Sequence, residues 1–243
     1  MPDVGGRAAA RIVRRQGGLT VLKGDFCYIM DVFTHFTKKI FINPGHYPGI
    51  DSGATYGAYT EAELTALVAT DLRDLLVNAG YNVMYLQSDN LGGDSPDYPD
   101  IVTEANNFLN DGMGWALSIH LNSAASSADG TEWLTYGDGE SIAIAENLRR
   151  VWLNTHAAIY GDIFVDRGVK DRPNLIFCRD IEAPSVLAEI GFINSEHDLD
   201  VIVNQRPHVI RALYLAIVAA RHDGELCEMD EGELAALSAM GSR

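Results

Sequence analysis

Short apolar runs alternate with amphipathic helical segments along most of this chain, and no other feature restricts the fold as strongly. Strand-like runs occupy residues 40–42, 81–86, 115–121, 132–136, 175–177 and 186–190. Helical spacing of apolar residues marks 64–79, 101–109, 141–160 and 209–220. Strands that alternate with helices form a sheet with helices on its faces, connected by right-handed crossovers. The sequence therefore predicts an α/β fold with a mostly parallel twisted sheet of about six strands, flanked by helices, in a single domain.

The 243 residues are enough for one sizeable hydrophobic core. Residues 1–37 show no sustained periodicity and are rich in Gly and Arg, so we expect a poorly ordered N-terminal leader there. Residues 38–222 contain the regular pattern and form the predicted folded domain. Residues 223–243 are an acidic C-terminal tail with a weak helical pattern, which indicates either a docking helix or a solvated segment.

Charge and hydropathy exclude several classes of partner. The formal net charge of −16 would repel nucleic acid phosphates, so we expect no nucleic acid partner. No apolar run is long enough to span a membrane. The three cysteines lack CxxC spacing, which argues against a disulfide framework or a cysteine-based zinc site. No secretory signal peptide is recognisable near the N-terminus.

Polar residues that can bind metal lie at the ends of predicted strands. His46 follows the first strand within "NPGHYPG", His120 lies in "ALSIHLNS", and Glu189 lies in "SVLAEIGF". Glu61 begins the first helix, where the helix dipole favours a carboxylate. Because ligands bind at the carboxyl ends of parallel strands, these side chains are expected to face one pocket.

The composition of this set points to metal-dependent hydrolysis. Two His and one Glu are a known ligand set for catalytic zinc, with the fourth position left to water. A further carboxylate that does not bind the metal suits a general base for that water. Glu189 lies in an apolar run, and a buried carboxylate is costly unless it is paired or bound to metal.

Six segments resemble the zinc-dependent N-acetylmuramoyl-L-alanine amidases of the Amidase_3 family, the catalytic domain of many bacterial autolysins and phage endolysins. They occur in the family's order and cover roughly residues 38–221: "IFINPGHYPGIDSGA", "TEAELTALVATDLRDLLVNAGYNV", "ALSIHLNSA", "GTEWLTY", "DRGVKDRPNLIFCRD" and "APSVLAEIGFINSEHDLDVI". The resemblance implies that residues 38–222 are an amidase catalytic domain.

The resemblance also implies roles for individual residues. His46, Glu61 and His120 match the positions that hold Zn²⁺ in the family, and Glu189 matches the catalytic carboxylate. Thr65 stands where the family often has Asn, which leaves Glu63 open as an alternative ligand.

Other polar residues in the matching segments are candidates for contact with the substrate or the ligands. Asn122, two residues after His120, is expected to orient the site or bind substrate. Glu132 is expected to support the ligands or the strand rather than to bind metal. The loop containing Arg167 and Lys170 either contacts substrate or is solvated.

Through this resemblance we expect hydrolysis of the amide between N-acetylmuramic acid and L-alanine in peptidoglycan. Two alternatives are a catalytically inactive peptidoglycan-binding domain and a zinc peptidase that cleaves another cell-wall bond. The predicted place of action is the bacterial cell wall or periplasm. A chain without a signal peptide fits a phage endolysin or another export route.

Overall fold

A computed structural model of the protein describes residues 12–15, 18–21, 38–161, 164–221 and 231–240. The strands are β1 Ile12–Arg15, β2 Gly18–Val21, β3 Lys39–Pro44, β4 Thr55–Tyr56, β5 Tyr59–Thr60, β6 Asn82–Tyr85, β7 Trp115–Asn122, β8 Thr131–Thr135, β9 Asp166–Asp171 and β10 Ser185–Phe192. The helices are α1 Glu61–Asn78, α2 Ile101–Leu109, α3 Gly139–Thr155 with the π-helical turn His156–Tyr160, α4 Ile176–Asp180, α5 Glu196–Asn204, α6 Arg206–Arg221 and α7 Glu231–Met240. None of the helices in these described ranges is both long and apolar enough to cross a bilayer.

Six strands form the central sheet in the order β6-β3-β7-β10-β8-β9. The first four strands in this order run parallel, β8 is antiparallel to β10, and β9 is parallel to β8. The prediction of a single α/β domain with a mostly parallel, helix-flanked sheet of about six strands is confirmed.

Successive residues of a strand point to opposite faces of the sheet, and each face is covered by a different set of helices. Ile40 and Ile42 of β3 pack in the larger core cluster with residues of α1, α3 and α6. Phe41, between them, packs in a second cluster with residues of α2 and α4. The smaller cluster covers only part of its face, and the rest of that face carries polar residues of β7, β8 and β10.

The prediction of a strand at residues 175–177 is wrong. Residues Ile176–Asp180 form α4, and the sixth strand is β9, which the sequence pattern did not reveal. A short apolar run is compatible with either a strand or a helix, and here Phe177 and Cys178 are buried within the smaller cluster. Among the described strands, β9 is at the edge of the sheet and pairs with β8 alone, which allows its charged sequence.

The described parts of the two termini are regular. β1 and β2 pair antiparallel, while the other residues of the predicted leader 1–37 lie outside the described residues, as do 222–230 of the tail. Residues 231–240 form α7, which packs on α1 and α6. Tyr81 donates a hydrogen bond through its hydroxyl to Glu233 Oε1 at 3.0 Å, and the Tyr214 hydroxyl donates to the Glu233 carbonyl at 3.0 Å. The two alternatives for the tail were a docking helix and a solvated segment, and residues 231–240 form a helix that packs on the domain.

Candidate active site

One face of the sheet changes from apolar to polar toward the carboxyl ends of β7 and β10. On β7 this face carries Ala116 and then His120 and Asn122, and on β10 it carries Leu187 and then Glu189. Glu189 is the register partner of His120. Because side chains in register lie on the same face of neighbouring strands, these polar groups converge at one edge of the sheet.

His46, Glu61 and His120 form a cluster whose potential ligand atoms all lie within 4.8 Å of one another. The Nδ1 atom of His120 lies 2.9 Å from Glu61 Oε1, and the Nε2 atom of His46 lies 3.1 Å from Glu61 Oε2. The Leu121 and Ala54 amides each donate a hydrogen bond to Glu61, at 3.0 Å in both cases. These amides fix the carboxylate at the start of α1 between the two imidazoles.

Glycine residues allow the cluster to be this compact. A Cβ atom at Gly45 would lie 2.4 Å from Cε1 of the His120 ring, and one at Gly53 would lie 2.5 Å from Cδ2 of His46. His46 itself has a φ of 62°, a left-handed conformation that is uncommon for a residue other than glycine. Backbone strain of this kind is held by surrounding structure and occurs often at functional sites.

Contacts within the cluster shift the pKa values of His46 and Glu61 in opposite directions. The hydrogen bond to Glu61, together with the charge of Asp51, raises the pKa of His46 to about 9, although burial opposes this. Burial opposes ionisation of Glu61, but hydrogen bonds from His120 and then His46 outweigh it and hold its pKa well below the ordinary range. Two nitrogen donors around an ionised carboxylate are a donor set that fits a divalent metal ion such as zinc.

Asp51 is a member of the site that sequence reasoning missed. Its Oδ2 atom lies 2.6 Å from Nδ1 of His46, which leaves Nε2 directed at the cluster. A carboxylate on the outer nitrogen is the usual means of orienting a metal-binding histidine. The sequence feature that could have identified Asp51 is its position in a turn-rich segment, five positions after His46.

Glu63, the alternative ligand, lies apart from the cluster. Its side chain is exposed and accepts a hydrogen bond from the Thr60 hydroxyl at 2.8 Å, and the Glu63 amide donates back to Thr60 Oγ1 at 3.3 Å. Thr60 and Glu63 therefore cap the N-terminus of α1.

Glu189 lies beside the cluster, between His120 of β7 and Glu132 of β8 in the strand register. Its Oε2 atom is buried and has no hydrogen-bond partner among the described residues. Burial, followed by the charges of Glu61 and Glu132, raises the pKa of Glu189 to about 8. A carboxyl whose pKa is raised in this way can accept and return a proton near neutral pH.

Glu132 is buried and its charge is compensated. It accepts a hydrogen bond from Nδ2 of Asn122 at 3.0 Å through Oε1, and its Oε2 atom contacts Nζ of Lys170. Nε of Arg167 lies 3.6 Å from the same Oε2 atom. The structure thus brings His120, Asn122, Glu132 and Glu189 to the same end of the sheet as His46 and Glu61, whereas Glu63 lies apart.

Comparison with known proteins matches most of the chain to one protein family. The model of the Amidase_3 family, described as N-acetylmuramoyl-L-alanine amidase, matches residues 40–219. The protein YqiI of Bacillus subtilis is 31% identical over 166 residues, which cover 67% of this chain and 74% of that protein. The N-acetylmuramoyl-L-alanine amidase CwlM of Bacillus licheniformis is 33% identical over 165 residues, which cover 67% of this chain and 59% of CwlM. The chain thus spans less than two thirds of the length of that amidase.

A solved structure supports the fold. The CwlD amidase of Clostridioides difficile, solved in complex with the GerS lipoprotein, superposes with a TM-score of 0.62 over 76% of this chain and 98% of CwlD. At 22% identity, this similarity concerns the fold alone.

Proposed function

The chain belongs to the Amidase_3 family of N-acetylmuramoyl-L-alanine amidases, and on this premise we propose that it cleaves the amide between N-acetylmuramic acid and L-alanine in bacterial peptidoglycan. We further propose that His46, Glu61 and His120 hold a zinc ion for this reaction. The cluster of these three side chains within 4.8 Å is the observation that carries the proposal.

The donor set suits this role. A zinc ion held there would polarise the scissile carbonyl, lower the pKa of a water molecule and stabilise negative charge on oxygen. Asp51 orients His46, and the Leu121 and Ala54 amides hold Glu61, so the ligands are positioned before any substrate arrives.

Glu189 is the proposed general base and acid. Its Oε2 atom is buried, lies on the face that carries His120, and is not engaged by other described groups. It would take a proton from the attacking water and return that proton to the amine of the departing peptide. Glu132 is less suited to this role because Asn122 and Lys170 already bind its two oxygens.

Asn122 is proposed to contact substrate. Its Oδ1 atom accepts a hydrogen bond from the Ser123 amide at 2.8 Å, and one Nδ2 hydrogen is donated to Glu132. The second Nδ2 hydrogen is suited to a substrate carbonyl.

Product analysis tests this function. The zinc-loaded protein should release, from purified peptidoglycan, peptides that begin with a free L-alanine amine, and should leave muramic acid residues with a free carboxyl group. Mass spectrometry of both fractions distinguishes this cleavage from that of a wall peptidase, which would leave L-alanine attached to the sugar. Binding to the wall without released amines would indicate an inactive binding domain. The site of action would be the cell wall, whether the protein is an autolysin or a phage endolysin.

A further inference from the structure

The end of the sheet that carries the cluster also carries two cationic side chains, those of Arg167 and Lys170. β8 runs antiparallel to β10, and β9 runs parallel to β8, so the starts of β8 and β9 lie at the same edge as the carboxyl end of β10. Glu189 on β10, Glu132 at the start of β8 and Arg167 at the start of β9 follow one another across this edge. Since neighbouring strands are about 4.8 Å apart, the backbone of Arg167 lies roughly 10 Å from that of β10, and its side chain reaches back toward Phe192 of that strand.

Arg167 and Lys170 differ in how closely they approach the Glu132 carboxylate. Glu132 is the carboxylate that both cations face, and Lys170 contacts its Oε2 atom directly. Arg167 is at a longer distance, 3.6 Å from the same oxygen. Lys170 therefore makes the closer ion pair with Glu132, and Arg167 is the more weakly engaged of the two cations.

The Arg167 side chain is held in place while part of it stays accessible. Its guanidinium lies 5.0 Å from the centroid of the Phe192 ring, and Nη1 donates to the Asp129 carbonyl at 3.4 Å. The side chain is 35% exposed. A guanidinium that stacks on an aromatic ring and retains accessible N–H groups is suited to bind a carboxylate.

We propose that Arg167 forms a subsite for a carboxylate in the peptide part of the substrate. This inference rests on the proposed function, because the peptide is the part of peptidoglycan that retains free carboxylates once the lactyl group is amidated. An extended peptide advances about 3.3 Å per residue, so an acid one to three residues beyond the scissile amide reaches Arg167. Because the net charge of −16 disfavours acidic ligands overall, a local cation favours binding of a carboxylate at its own position.

Paired substrates test the subsite. The ratio of kcat/KM for a muramyl peptide with a free carboxylate at the second residue to that for its carboxamide analogue should be about tenfold in the wild type, since a charged hydrogen bond is lost in the analogue. Arg167→Gln should bring this ratio close to one, mainly through KM, and Arg167→Lys should restore part of it. Arg73→Gln is the matched control, because Arg73 is similarly exposed at 34% but lies on α1, twelve positions after Glu61, and should keep the wild-type ratio.

A binding measurement separates this inference from the proposed function. Calorimetry with Glu189→Gln, alone and combined with Arg167→Gln, compares the affinities for the same two peptides without turnover. Preference for the carboxylate peptide in the first protein and its loss in the second would support the subsite even if no cleavage occurred. Equal affinities for the two peptides in the Glu189→Gln protein, or a preference that persists without Arg167, would overturn it.

Discussion

Glu189 lies directly opposite Glu132 in the antiparallel pairing of β10 with β8, yet the two carboxyl groups have contrasting surroundings. Glu132 is bound by Asn122 and Lys170, whereas Oε2 of Glu189 has no partner within the described part of the chain. A buried carboxyl oxygen without a partner and a carboxylate bound by other side chains are suited to different roles. This contrast supports the proposal that Glu189 transfers the proton and that Glu132 has a structural role.

This contrast predicts how the stability of the metal-free protein depends on pH. The pKa of Glu189 is raised from its ordinary value of 4.5 to about 8 on folding, mainly by burial. Its contribution to the free energy of unfolding is therefore fully present below pH 4.5 and is lost as the pH rises through about 8. Glu189→Gln cannot ionise, so its Tm should fall less than that of the wild type between about pH 5 and pH 9. Parallel Tm profiles for the two metal-free proteins would contradict this account.

Metal content should separate Glu61 from Glu63. Glu61→Gln removes the carboxylate between the two imidazoles, so bound zinc should fall from about one per chain to near zero after dialysis. Glu63→Gln changes an exposed side chain that caps α1 and should keep the metal, with at most a small loss of stability. Elemental analysis of both variants measures this. Loss of zinc from Glu63→Gln alone would reverse the assignment.

Gly45→Ala should weaken metal binding while the fold is retained. The added Cβ atom would lie 2.4 Å from Cε1 of His120, and the ring must move to accommodate it. We expect zinc affinity to fall about tenfold or more, as measured by competition with a chelator. Gly139→Ala is the matched control, because no atom lies within 4 Å of its added Cβ. Unchanged affinity in Gly45→Ala would show that the His120 position is not critical.

Leucine-to-alanine substitutions on the two faces of α1 should lower the free energy of unfolding by different amounts. Both Leu67 and Leu72 fall in the segment 64–79 that shows helical spacing of apolar residues, but Leu67 is 46% exposed and Leu72 is fully buried. Leu72→Ala should lower the free energy of unfolding by about 2 to 5 kcal/mol, and Leu67→Ala by about 0.5 kcal/mol or less. Denaturant unfolding measures both. Equal losses would contradict the orientation of α1.

The sheet and the cluster were predictable because their signals are local. Ile40 and its neighbours form a continuous apolar run, and polar residues such as His46 and Glu189 interrupt such runs at strand ends. A metal-capable residue in that position stands out against the energetic cost of burying it. The same logic, combined with the family resemblance, named Glu61 and His120.

The remaining features depend on contacts that are distant in sequence. β9 carries a charged sequence that is acceptable only at an edge, and the edge position is set by its pairing with β8. α4 occupies an apolar run whose conformation is decided by packing on the smaller core cluster. The pairing of Lys170 with Glu132 joins residues 38 positions apart, and no local pattern predicts it.

The most direct test of the account is the combined measurement of zinc content and peptide release for Glu189→Gln. The variant keeps the three proposed ligands, so it should retain about one zinc per chain, whereas release of stem peptides from peptidoglycan should fall by about 10² to 10⁴-fold. Glu140→Gln, which changes an exposed carboxylate at the start of α3, should match the wild type in both measurements. Zinc retention with wild-type release in Glu189→Gln would contradict the central claim that Glu189 transfers the proton.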